Sequence, residues 1–166
     1  MVDALEDRWV GEATHCLAWA WTYPLQVVVG ALRAWLHKSG LRADKVFLHF
    51  SLVCCNLFRQ PSNLQLSPVR HRLERTRHLI VVLDDWQPPK LFQSAYCLYE
   101  IFTAAEMGAT IDITLPAKAM ASLSEALLGG QTSEVLDSFA KVLTSQANVG
   151  PADPKQLPAQ LQAWGL

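Results

Sequence analysis

Leu79-Ile80-Val81-Val82-Leu83 is an unbroken run of five branched apolar residues, and Asp84-Asp85 follows it directly. Branched side chains suit an extended backbone, and a run without polar alternation suits a strand covered on both faces, as in a parallel sheet. The acidic pair marks the carboxyl end of that strand. Working outward, Ala13 to Ala20 is a short apolar run rich in aromatics, closed by the turn signal Thr22-Tyr23-Pro24. Lys45 to Cys55 is a continuous apolar stretch bounded by polar residues. Both read as buried strands, and Thr110 to Leu115 reads as a fourth.

Helical periods fill the spaces between. Pro24 opens a helix over Leu25 to His37, where Leu25, Val28, Val29, Leu32 and Leu36 recur at three- and four-residue steps and predict a core-facing stripe that stops before Gly40. Asn56 to Pro68, with its Pro, Asn and Ser, predicts a loop, and Val69 to Arg77 a short basic helix. Ser94 caps a helix whose apolar members include Leu98, Ile101, Phe102 and Ala105 and which ends at Gly108. Pro116 starts another that runs to Gly129-Gly130, and Ser133 to Gln146 is helical too.

Strands alternating with helices across short loops predict the α/β class: one doubly wound, flavodoxin-like parallel sheet of four or five strands with helices on both faces. The domain is expected over residues 1–149. Residues 150–166 form a tail whose Leu157, Leu161 and Trp164 suit a short helix packing back onto it. A length of 166 residues fits one core rather than two.

Composition narrows the function classes. Hydrophobic residues make up 51% and charged residues 17%, far from a disordered chain. A formal net charge of −1 gives no global attraction to nucleic acid or to an anionic membrane. Cys16 to Leu32 is uncharged, yet Thr22-Tyr23-Pro24 breaks it and Arg33 ends it, so a strand and a helix are expected there rather than a membrane span. The beginning, Met1 to Arg8, is acidic where a targeting peptide is basic, which predicts a cytoplasmic protein. The four cysteines form no CxxC pair, the five histidines lie on different elements, and no metal is expected. Walker-type and GxGxxG loops are absent.

In an open α/β sheet, ligands bind beyond the carboxyl ends of the strands where the strand order reverses. This singles out Trp19, Trp21, Asp84, Asp85, Trp86 and the helix from Ser94. The concentration Arg70, His71, Arg72, Arg75, Arg77 and His78 could meet phosphates, although Glu74 within it favours a solvated helix face.

Ser94-Ala95-Tyr96-Cys97-Leu98-Tyr99-Glu100-Ile101 resembles the Ser-x-Trp-Cys-x-x-Glu-Leu signature of the third helix in plant-type Toll/interleukin-receptor (TIR) domains, with Tyr96 in place of Trp. Ala13-Thr14-His15, Ala18-Trp19-Ala20-Trp21, Tyr23-Pro24 and Val82-Leu83-Asp84-Asp85-Trp86 resemble TIR-like domains of fungal and algal proteins in the same order. The likeness spans roughly Ala13 to Pro116. It departs where that family has Ser-His-Ala-Trp at the first strand and an Asp on the second, which is apolar here around Leu52-Val53.

Several TIR domains are NAD glycohydrolases, and the resemblance implies Glu100 as the key carboxylate with NAD as substrate rather than cofactor. Cleaving the nicotinamide–ribose bond develops oxocarbenium character, which a fixed carboxylate stabilises. A plain alternative is that Glu100 is a solvated helix residue. The candidate substrate-binding set is Trp19, Trp21, Asp84, Asp85, Trp86, Tyr96 and Cys97. The aromatic members suit a flat base, although at least two are expected in the core. Asp84-Asp85 also suggests a phospho-accepting aspartate, but the first strand lacks the acidic cluster that chemistry needs. The resemblance equally implies a non-catalytic assembly module acting as a homo-oligomer or through a partner protein, with Leu91, Phe92 and Trp164 as exposed apolar candidates.

Overall fold

A computed structural model describes residues 9–50, 67–87 and 89–140. The run that opens the sequence reading forms β3 (His78–Val82), whose residues Leu79 to Val82 are all at most 2% exposed. It pairs in parallel with β1 (His15–Ala18) on one side and β4 (Thr110–Thr114) on the other. β2 (Leu48–His49) adds to the far edge of β1 and completes a four-stranded parallel sheet of order β2-β1-β3-β4. The expected flavodoxin-like α/β arrangement is therefore present. β3 lacks alternation because strands flank it and helices cover it. β4, at an edge, alternates and leaves Ile113 53% exposed.

The crossovers are α1 (Leu25–Ser39), α2 (Ser67–Thr76) and α3 (Ala95–Glu106), followed by α4 (Ala117–Leu128) and α5 (Thr132–Ala140). α2 packs with α3, and α1 packs with α4. Right-handed connections in this strand order place these pairs on opposite faces of the sheet. Among the described residues no helix is long and apolar enough to cross a membrane; Cys16 to Leu32 is divided between β1 and α1 as expected.

Several boundaries and faces differ from the sequence reading. In α1 the buried residues are Val28, Ala31 and Trp35, while Leu25 is 56% and Val29 38% exposed. The stripe is turned toward Ala31 because its small side chain lets the helix backbone come close enough for Thr114 Oγ1 to donate to the Ala31 carbonyl at 2.9 Å. Gly40, at φ 67, supplies the left-handed stop after Ser39. Arg77 takes a positive φ of 53 and stands outside the helix expected to include it, turning the chain from α2 into β3. Ala43–Lys45 is a 3-10 turn rather than the start of a strand. Of the strand expected over Lys45 to Cys55, Leu48–His49 is strand while Val46, Phe47 and Phe50 are not, and residues 51–55, most of the loop expected over 56–68, and the tail at 150–166 lie outside the described residues. Leu91 and Phe92 are not surface residues. Leu91 is 0% exposed, and Phe92 is half-buried with its ring 6.1 Å from that of Phe139.

Candidate functional site

α3 begins where Ser94, in extended conformation, accepts a hydrogen bond from the Cys97 amide at 3.4 Å, the cap expected of it. Cys97, Glu100, Thr103 and Ala104 follow at helical spacing and are all buried, so Glu100 lies on the inward face and is 7% exposed. The solvated-helix alternative does not hold. Arg72 of α2 donates to the Tyr96 hydroxyl at 3.0 Å, and its Nη2 lies 3.9 Å from Glu100 Oε1. The Tyr96 hydroxyl is also hydrogen-bonded to the Glu100 carboxyl. Burial pushes the Glu100 pKa up to about 8, against the downward pull of Arg72 and Tyr96. The direct guanidinium bond goes to Tyr96, so the longer contact to Glu100 only partly offsets desolvation. At neutral pH this carboxyl holds its proton.

Arg72 also belongs to a second space. A hollow of about 410 Å³ is lined by Glu12, Ala13, His49, Arg72, Arg75 and Thr76. His49 stands beside Cys16 in the β1–β2 register. Its Nε2 is buried and has no hydrogen-bond partner among the described residues. Burial, reinforced by the Arg72 charge, lowers the His49 pKa to about 4, so the ring is neutral near pH 7. Arg75 is ion-paired to Glu12 across the hollow. Thr76 donates to the Arg72 carbonyl at 3.1 Å and contacts Cys16 Sγ at 3.3 Å. Burial raises the Cys16 pKa. With Glu12 and Ala13 preceding β1 and Thr76 ending α2, the hollow lies toward the amino half of the sheet.

The carboxyl ends of β1 and β3 are occupied differently. Trp19 is 4% exposed with its ring 5.0 Å from that of Phe50, and its indole nitrogen is buried without a partner among the described residues. Trp86 is 3% exposed and donates to Ser122 Oγ at 3.3 Å. Both are packing residues. Asp84 accepts from the Lys90 amide at 3.3 Å and pairs with its Nζ at 3.2 Å, while Asp85 accepts from the Trp86 amide at 2.7 Å. The Tyr23 hydroxyl accepts from the Leu91 amide at 3.0 Å, and burial beside Asp84 pushes its pKa up. Asp84 thus anchors the 3-10 turn Lys90–Gln93, while Asp85 bonds within the turn that follows β3. Cys97 donates its thiol to the Trp19 carbonyl at 3.4 Å, and burial raises its pKa to about 12, which leaves an inert thiol. Trp21 is 47% exposed.

Of the expected site residues, the structure gathers Glu100 and Tyr96. It leaves Trp19, Trp86, Asp84 and Asp85 in other contacts. Arg72 and His49 are the residues the sequence reading did not assign to this site. Arg72 sits three residues after buried Val69 and four before Thr76, a spacing that places it at the margin of the buried stripe of α2. The remainder of the basic run is largely a solvated face: Arg70 pairs with Glu74 at 3.6 Å and with Glu106 at 3.3 Å, and His71 with Glu74 at 3.9 Å. Among the described residues no group of three or more His, Cys, Asp or Glu is arranged to hold a metal ion.

Compared with protein-family models, curated proteins and solved structures, the chain matches none.

Proposed function

We propose that this chain is a TIR-like domain that takes NAD between β2, α2 and α3 and cleaves its nicotinamide–ribose bond with Glu100. The observation that carries the reading is a buried carboxyl on α3, at a pKa of about 8, joined through Arg72 to a hollow wide enough for part of a nucleotide. In this reading the ionised Glu100 faces the ribose as the C–N bond breaks. Nicotinamide leaves with the bonding pair, and water adds to the cationic carbon, releasing a proton and ADP-ribose. Tyr96 and Arg72 hold the carboxylate in place. Purified protein incubated with NAD should release nicotinamide, and Glu100→Ala should release at least about a hundredfold less. Wild-type protein that releases none at high concentration rules the reaction out.

A second reading, assembly without catalysis, is favoured by Trp21 in the turn before α1 and by Leu25 and Val29 one helical turn apart at its start, which are 47%, 56% and 38% exposed. Trp21→Ser with Leu25→Ser should then abolish concentration-dependent association on size-exclusion chromatography. A wild-type protein that stays monomeric at every concentration removes this reading.

A further inference from the structure

We propose that the hollow between β2 and α2 is a diphosphate subsite, held closed in the free protein by Glu12. This rests on the nucleotide reading above and names which part of the ligand enters here.

The lining decides the chemistry. Among the described residues, two guanidinium groups, an imidazole, a threonine and the Glu12 carboxylate line the space, and none of them offers an aromatic carbocycle on which a base could stack. Arg75 offers a planar fork matched to phosphate oxygens. His49 Nε2, buried without a hydrogen-bond partner among the described residues, adds a polar atom that a phosphate oxygen or hydroxyl would satisfy. Charge points the same way. Among the described residues of the lining, Glu12 is the single carboxylate against two arginines, Arg72 and Arg75.

Glu12 marks where the anion sits. Its Oε1 is on Arg75 Nη2, an intramolecular carboxylate in the place of a phosphate oxygen. Both partners are largely exposed, with side chains 59% and 73% accessible for Arg75 and Glu12, so the pair is weak enough for a multiply charged ligand to displace.

Isothermal titration with inorganic pyrophosphate tests this on the full chain. Wild type should bind, Glu12→Gln should bind up to about fivefold more tightly, and Arg75→Gln about tenfold or more weakly. His49→Gln should weaken binding severalfold. No binding by wild type and Glu12→Gln, or the same affinity in Arg75→Gln as in wild type, overturns the subsite. Binding without nicotinamide release overturns the proposed reaction and leaves the subsite standing. Nicotinamide release without pyrophosphate binding does the reverse.

Discussion

The Trp35 indole donates to Asp112 Oδ2 at 2.7 Å, and the same oxygen lies 2.9 Å from His78 Nε2. One carboxylate thereby joins α1 to β3 and β4. His15 completes the group, its ring 4.4 Å from that of His78 and edge-on to Trp35 at 5.0 Å. Thr14 holds His15 Nδ1 at 2.8 Å while also bonding the Phe47 carbonyl and amide. Removing the indole donor should therefore loosen more than one element. Trp35→Phe keeps most of the ring contact and loses the hydrogen bond, which should cost about 1–2 kcal/mol in urea unfolding. If the cost is the same when Asp112 is already Asn, the bond to Asp112 is not its source.

The group also sets an acid limit. Burial and the neighbouring His78 lower the His15 pKa below 6.5, against Asp112. The folded state then binds fewer protons than the unfolded chain just below pH 6.5, so stability falls as pH falls through that window. Asp112, desolvated but held ionised by Trp35 and His78, has its pKa lowered below 3.8. Its contribution is present above 3.8 and is lost as pH falls further. His15→Gln should flatten the fall of thermal stability just below pH 6.5 relative to wild type. An unchanged slope there would assign the acid sensitivity to other groups.

Glu100 acts in the opposite sense. Its folded pKa of about 8 lies above the ordinary glutamate value of 4.5, so the folded state binds the extra proton between those values. Stability from this group is fully present below 4.5 and declines as pH rises toward 8. Glu100→Gln removes that decline and should be the more stable protein at pH 8.5, by about 1–3 kcal/mol. For the proposed reaction the ionised form is required, so wild-type nicotinamide release should climb between pH 7 and 9. A rate that falls across that range contradicts the role given to this carboxylate.

Two isoleucines report the two kinds of strand. Ile80 on β3 is 0% exposed and Ile113 on edge strand β4 is 53% exposed. Ile80→Ala should cost about 2–5 kcal/mol by leaving a cavity, and Ile113→Ala less than about 1 kcal/mol. Equal costs would mean that the outer face of β4 is covered in solution, which the same chromatography that tests assembly would reveal.

The fold was legible because unbroken branched runs and helical periods are local signals. Leu79 to Leu83 announced its burial without a partner in view, and Pro24 and Gly40 bracketed α1. The turn of α1 toward Ala31 and Trp35 was not legible, because it depends on Asp112 and Thr114, about eighty residues away in the chain. The candidate site shows the same division. Glu100 and Tyr96, one helical turn apart, could be read together, whereas Arg72 reaches them only through the packing of α2, and His49 comes beside Arg72 only through the pairing of β2. Trp19 and Trp86 sit at the strand ends as expected, but hydrophobic burial, together with a hydrogen bond from Trp86 to Ser122, fixed them in packing.

The strand order has a consequence for how the chain assembles. β1 is hydrogen-bonded to β3, with Cys16 opposite Leu79, so the central pairing joins segments some sixty residues apart. During synthesis β1 must wait until β3, ending at Val82 about halfway along the chain, has emerged before its inner neighbour exists, and no local hairpin can stand in for it. Large loops must close before that pairing contributes, which makes folding slow for the chain's size. Until β3 arrives, the apolar stretch around Trp19 is open to mispairing with other chains.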